Sequence, residues 1–165
     1  MDFLKIINEP EFEFERIAIE LFNNYAIQTH DALFRLVEIE FYWNSSKHID
    51  TSTYERKHVD PKSGDWFFHY SGVDIALKSE QNDGHGGILI RSIYDTDTNI
   101  ICKGPMVCSM KLFSGTNAFT QLIQTKIVPY SFSKSEIMKD KRVGLSPKEN
   151  GSDKLNYRFL INPKE

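Results

Sequence analysis

Glu40 lies in the run Glu38-Ile39-Glu40-Phe41-Tyr42-Trp43, a carboxylate set among bulky aromatic side chains. Desolvation raises the pKa of such a group, or a neighbouring cation holds it ionised; either state suits general acid–base chemistry. Arg91 stands among aliphatics in Ile88-Leu89-Ile90-Arg91-Ser92-Ile93. A guanidinium there needs a carboxylate partner or a cleft, because an unpaired buried charge is costly. Tyr42, Trp66, Phe68 and Tyr70 are either core aromatics or the lining of a cleft that sandwiches a flat ligand. Stacking in such a cleft contributes about 1–3 kcal/mol per base. Other chemistries find little support. His30, His48, His58, His69 and His85 show no paired-ligand spacing, and Cys102 and Cys108 are too few for a four-thiolate site and have no convincing histidine partner. The chain has neither a P-loop nor a G-x-G-x-x-G run, so no metal and no cofactor is expected.

The elements that must position these residues follow from periodicity. Residues 11–24 place Phe14, Ile17, Leu21 and Phe22 at helical spacing, with Asn23-Asn24 at the end. Residues 33–43 alternate instead. Val37, Ile39, Phe41 and Trp43 share one face, and Glu38, Glu40 and Tyr42 share the other. Residues 44–65 form a long polar connection, a length that in compact domains usually serves function. Residues 66–77 read as an aromatic β-prone stretch with Gly72 as a bulge or a point of close approach. Asp83–Gly87 reads as a turn into a strand at 88–93, which makes an antiparallel hairpin with 66–77. Met106–Phe113 follows Gly104-Pro105 as a short helix, and residues 140–145 and 155–161 read as two closing strands. Strands and helices without a βαβ rhythm point to an α+β fold.

Length and composition set the frame. The 165 residues suit a single compact domain spanning 1–165, and 40% hydrophobic and 13% aromatic residues exclude a disordered chain. No apolar run approaches the roughly 18 residues of a spanning helix, so no membrane is expected. The acidic N-terminus lacks a secretion signal, which leaves the cytoplasm, or the nucleus of a eukaryote. The net charge of −3 conceals an asymmetry: residues 101–165 hold 11 Lys/Arg and 5 Asp/Glu, a balance of +6, leaving −9 on residues 1–100. Local fields, not the net charge, guide a charged partner, so a basic surface drawn from the last third is allowed.

Taken in order, these segments resemble the alkyladenine, or 3-methyladenine, DNA glycosylases (methylpurine-DNA glycosylases). Arg35-Leu36-Val37-Glu38-Ile39-Glu40-Phe41-Tyr42 is similar to that family's R-I-V-E-T-E-A-Y strand. Gly64-Asp65-Trp66-Phe67-Phe68-His69-Tyr70-Ser71-Gly72 resembles its G-x-x-Y-V-Y-x-x-Y-G strand, and Gly86–Ile93 resembles its A-V-L-I-R-A-L strand. Gly104-Pro105-Met106-Val107-Cys108 is similar to its G-P-x-x-L-C helix start. Arg142-Val143-Gly144-Leu145 and Tyr157-Arg158-Phe159 resemble its closing R-I-G-I and W-R-F-Y pieces. These pieces stand in the family's order and span residues 35–161, although no one of them is specific alone.

The resemblance implies a curved, mainly antiparallel sheet flanked by helices, in a monomer. It also implies base excision: a damaged purine is flipped out of double-stranded DNA and water cleaves its N-glycosidic bond. Glu40 then matches the glutamate that activates the water, and Arg91 an arginine beside that water. Tyr42 and Phe68 match the aromatic pair that sandwiches the base. Tyr54 matches a pocket histidine, with His58 and His48 as neighbours able to substitute. Ser71, before Gly72 at the DNA-facing strand end, replaces a tyrosine that wedges into the duplex, and Lys78 replaces an asparagine that lines the pocket. These two departures leave a second expectation open: a non-catalytic homologue that binds a nucleobase or another planar ligand and has lost the wedge.

Overall fold

Alternation along residues 33–44 does most to organise the molecule. The computed structural model describes residues 2–7, 10–57, 62–79, 83–115, 119 and 124–164, with the side chains of Asp2, Tyr54, Glu55 and Lys57 outside that description. In chain order it has helix α1 (Pro10–Asn24), strands β1 (Tyr25–Gln28) and β2 (Leu33–Asn44), and a 3-10 turn (Thr51–Lys57). Strands β3 (Trp66–His69), β4 (Gly72–Lys78), β5 (His85–Asp95) and β6 (Ile101–Lys103) lead to helix α2 (Pro105–Phe113). Strands β7 (Lys126–Pro129), β8 (Met138–Asp140) and β9 (Arg158–Leu160) complete the chain.

All the pairings are antiparallel, in the order β3-β4-β5-β2-β1-β7, with β6 on β5, β9 on β2 and β8 on β9. The sheet curls into a half-barrel, and with its two helices it makes one compact α+β domain. Among the described residues no helix is long and apolar enough to cross a membrane.

The two faces of the sheet do different work. Ile39, Phe41 and Trp43 of β2, Val73, Ile75 and Leu77 of β4, and Ile88, Ile90 and Ile93 of β5 face one core. Helix α1 closes that core with Phe14, Ile17, Ala18, Leu21 and Phe22, the i, i+3, i+4, i+7, i+8 stripe of an amphipathic helix. Phe14 stacks on Phe41 with ring centroids 4.4 Å apart. Proline at the start of α1, with Glu11 and Glu13 in the first turn, suits the helix's positive end. Helix α2 adds Cys108 and Leu112, one turn apart, to the same core.

The opposite face carries Glu38, Glu40 and Tyr42, and it is covered by the 3-10 turn and the segment around Arg142 instead of by helices. Register irregularities between Leu36 and Ile39 bring Glu38 level with Ser92 and leave Arg91 beside both glutamates. Val37 therefore departs from strict alternation: Leu36, not Val37, joins Ile39 in the core.

The aromatic stretch 66–77 is two strands, not one. It folds back at Tyr70-Ser71, so that His69 pairs with Gly72 and Phe68 with Val73. Gly72, with φ at +152°, has α2 pressed against it; a Cβ there would lie 2.9 Å from Pro105 Cβ. The expected turn at 83–87 is shorter than its composition suggests, because β5 already begins at His85 and runs through both glycines. The closing strand expected at 155–161 shortens to 158–160, and the one expected at 140–145 lies at 138–140 instead, with 141–145 outside any strand.

Candidate active site

Strand β2 delivers Glu40 to a fully buried position, 0% exposed, on the face away from the helices. Three residues converge on its carboxylate. Tyr42 donates its hydroxyl to Oε2 at 2.9 Å, and Arg91 Nη1 approaches the same oxygen at 3.4 Å. The Val143 backbone N–H reaches Oε1 at 2.7 Å, and Arg91 Nε lies 3.4 Å from that oxygen. Burial nevertheless dominates and holds the Glu40 pKa above the ordinary glutamate value, with Arg91 as the largest opposing influence and Val143 next. A carboxylate raised in this way accepts a proton readily, the property a general base needs.

Arg91 is shared. Its Nε donates to Glu38 Oε1 at 3.3 Å, and Glu38 also takes the Ser92 hydroxyl at 2.7 Å and Arg158 Nη1 at 3.1 Å. Arg158 continues the network to Asp140. The carboxylate partner that a guanidinium on an aliphatic strand needs is thus supplied by the neighbouring strand β2.

Tyr42 is 4% exposed, and burial followed by the nearby Glu40 charge raises its pKa. Its ring is flanked by two guanidiniums, Arg56 at 3.6 Å and Arg142 at 4.6 Å from the centroid. Arg56 is held there by Asp74, whose Oδ2 accepts its Nε at 2.6 Å. Asp74 is a fully buried carboxylate between Val73 and Ile75, and it stands in the same cross-strand row as Leu89 and Glu40. Gly87 makes this possible: a Cβ there would meet Asp74 Oδ2 at 2.5 Å. Gly87→Ala is expected to push Asp74 out of line with Arg56 and cost about 1–3 kcal/mol, as overpacking does. A urea midpoint equal to that of the wild type would rule this out.

The structure brings together Glu40, Tyr42 and Arg91, and it separates the rest. Phe68 does not reach Tyr42. Strand alternation and the two-residue turn place it opposite Val73, on the helix side of the sheet, where it packs edge-on against Phe113 at 4.7 Å. Trp66 shares that side, donating Nε1–H to the Thr125 carbonyl at 3.0 Å, and Tyr70 projects from the hairpin tip, 76% exposed. The four aromatics therefore do not line one cleft, and the expected Tyr42/Phe68 sandwich is replaced by arginines on Tyr42. Phe67, not Phe68, stands on the Glu40 side, in the row of Asp74.

Lys78 ends β4 opposite His85, in the row of Asn44 and beyond that of Tyr42; its backbone bonds to Ser63 Oγ. Ser71 and Gly72 lie at the turn between β3 and β4, and the Ser71 hydroxyl bonds to His69. The Tyr54 side chain and His58 lie outside the described residues. His48 is turned toward the core side, its Nε2 3.3 Å from the Tyr157 hydroxyl, and burial lowers its pKa. Among the described residues no group of three or more His, Cys, Asp or Glu side chains is placed to hold a metal ion. Burial pushes the Cys108 thiol up to about 12.

Arg56, Asp74 and Arg142 were missed in the sequence as parts of this site. Asp74 carried the same signal as Arg91, a charge inside an aliphatic strand, whereas Arg56 and Arg142 arrive from distant segments. No family model matches the chain. It is similar to a protein of Acanthamoeba polyphaga mimivirus described as uncharacterized, with 29% identity over 188 aligned positions covering 90% of this chain and 85% of the viral one.

Proposed function

We propose that the chain is a monofunctional DNA glycosylase of the methylpurine type, which hydrolyses the N-glycosidic bond of a damaged purine flipped out of duplex DNA. The observation that supports it is the Glu40 environment: a buried carboxylate of raised pKa, in contact with Arg91 and oriented by Tyr42 and Val143. Water admitted beside Glu40 with the flipped nucleotide gives a proton to the Glu40 carboxylate as its oxygen bonds to C1′. The base departs with the electrons of the broken bond. An N-alkylated purine carries positive charge and leaves neutral, so its departure needs no separate acid.

The flipped base stacks on Tyr42 by taking the place of the Arg56 guanidinium, a planar group already lying 3.6 Å over that ring. Double-stranded DNA would meet the basic part of the chain, because the segment over Glu40 belongs to residues 101–165 and exposes Lys141 and Lys154. The test is single-turnover release of hypoxanthine, ethenoadenine and 3-methyladenine from duplex oligonucleotides. Release from at least one lesion, dependent on Glu40, is the expected result; no release from any of them overturns the proposal.

The rate should also report the Glu40 proton. The base form does the work, so the rate rises with pH as Glu40 ionises, and its acid limb should stand above the roughly 4.3 of an ordinary glutamate. Arg91→Gln removes the largest influence holding that pKa down and should move the limb to still higher pH. A limb at or below 4.3, or one that Arg91→Gln moves downward, contradicts the assignment.

A second reading rests on Arg56 and Ser71. With a guanidinium on Tyr42 and a hydrogen-bonded serine at the hairpin end, the chain would bind a planar ligand without catalysis. Duplex affinity that falls log-linearly with salt favours the glycosylase; no duplex binding at low salt favours the ligand-binding protein.

A further inference from the structure

The β3–β4 hairpin carries a chain of hydrogen bonds that Glu40 chemistry does not use. Ser71 Oγ lies 2.8 Å from His69 Nδ1, and His69 Nε2 lies 2.9 Å from Asp74 Oδ1. Asp74 is fully buried, and its other oxygen accepts Arg56 Nε at 2.6 Å. The bonds assign the proton positions. Asp74 can only accept as a carboxylate, so His69 Nε2 carries the hydrogen. The Ser71 backbone N–H points at Nδ1 from 3.4 Å, so Nδ1 presents its lone pair and the Ser71 hydroxyl donates to it. A hydroxyl on the free nitrogen of an imidazole, with a buried carboxylate behind the other nitrogen, is the arrangement that activates a serine nucleophile.

The setting suits an ester. His69 is locked by its pairing with Gly72 across a two-residue turn, so the base is held by strand geometry and not by a mobile loop. Helix α2 starts against Gly72, the residue after Ser71, and no side chain caps its first turn. The α2 atoms nearest Gly72 are Pro105 Cβ and the Pro105 carbonyl, so the helix buttresses the turn that carries Ser71. The exposed neighbours are apolar: Tyr70 in the turn, and Met106 and Val107 in the first turn of α2.

We infer that Ser71, His69 and Asp74 form a nucleophilic centre for acyl transfer, taking small uncharged esters with an apolar acyl or aryl group. Ser71 Oγ attacks the carbonyl carbon and its proton passes to His69 Nδ1, while Asp74 accepts the Nε2–H throughout as a positioning residue. The tetrahedral oxyanion collapses and expels the alcohol, which takes the proton from Nδ1 and leaves an ester on Ser71. Water then loses a proton to Nδ1 as it attacks that ester, and the carboxylic acid is released with Ser71 restored.

The site shares Asp74 with the Arg56 that covers Tyr42, while its reacting atoms lie on the hairpin and not on β2. The test is p-nitrophenyl acetate and butyrate hydrolysis by the full chain, together with labelling by an aryl fluorophosphonate and mapping of the adduct by mass spectrometry. One adduct on Ser71 is expected, with kcat/KM lowered at least about 100-fold in Ser71→Ala and in His69→Gln. An adduct elsewhere, no adduct, or hydrolysis unchanged in Ser71→Ala shows that the bonds only close the hairpin and overturns the inference. Ser71→Cys covers a folding failure of the alanine variant. Its thiol should be alkylated by iodoacetamide faster than Cys102, and more slowly once His69→Gln is added; equal rates overturn the inference as well.

Discussion

Replacing Glu40 by glutamine is expected to lower single-turnover base release by about 100- to 10,000-fold, the range a positioned general base contributes. The substitution is close to isosteric. A glutamine carbonyl oxygen still accepts the Val143 N–H, now 2.7 Å from Oε1, and the amide still meets the Tyr42 hydroxyl, now 2.9 Å from Oε2. Arg91 loses one carboxylate and keeps the other, Glu38 at 3.3 Å. The fold and the duplex-binding surface should therefore survive, and the loss should fall on the chemical step. Measured at saturating enzyme over a time course of base release, with duplex affinity determined in parallel, the variant should bind as the wild type does and fail to cleave. Cleavage at the wild-type rate removes Glu40 from the mechanism. A rate that falls only in proportion to duplex affinity also removes it, because Glu40 would then act through binding.

What the sequence revealed of this site depended on whether the signal was local. Alternation along β2 put Glu40 and Tyr42 on one side of the sheet because strand periodicity acts residue by residue, and the core on the other side supplied the contrast. Arg91 was conspicuous for the same reason: one charge in an aliphatic strand must find a carboxylate, and Glu38 and Glu40 are the ones it finds. The hairpin at Tyr70-Ser71 was hidden, because neither residue is the glycine or asparagine that marks a tight hairpin turn. Phe68 was expected beside Tyr42 from the resemblance alone; across the turn, pairing to Val73 sends it to the opposite face. Arg56 and Arg142 were hidden for a different cause. Each reaches Tyr42 from a segment without regular strand structure, and no spacing in the chain records that kind of contact.

The largest expected loss of stability comes from Asp50→Ala, at about 3–5 kcal/mol, the cost of removing one partner from a buried ion pair. Both side chains are 0% exposed. Asp50 receives Arg142 Nη1 at 2.5 Å and Nη2 at 3.1 Å, a two-point contact, and the Arg142 head also bonds to the Phe41 and Ser152 carbonyls. Without Asp50 those carbonyls and the Tyr42 ring remain, but a full positive charge is left in the interior with no counter-charge bonded to it. The same carboxylate also accepts the Ser52 N–H at the start of the turn that carries Arg56, so its loss loosens both guanidiniums that flank Tyr42. A urea titration should show the drop, and Arg142→Met on top of Asp50→Ala should recover part of it by removing the orphaned charge. A single variant within about 1 kcal/mol of the wild type, or a double variant worse than the sum of its parts, would count against a buried pair at this position. The consequence reaches Glu40 through one peptide unit. Val143 follows Arg142, so the ion pair that anchors Arg142 also holds the N–H that orients Glu40, and base release should weaken in Asp50→Ala even at temperatures where the variant is fully folded.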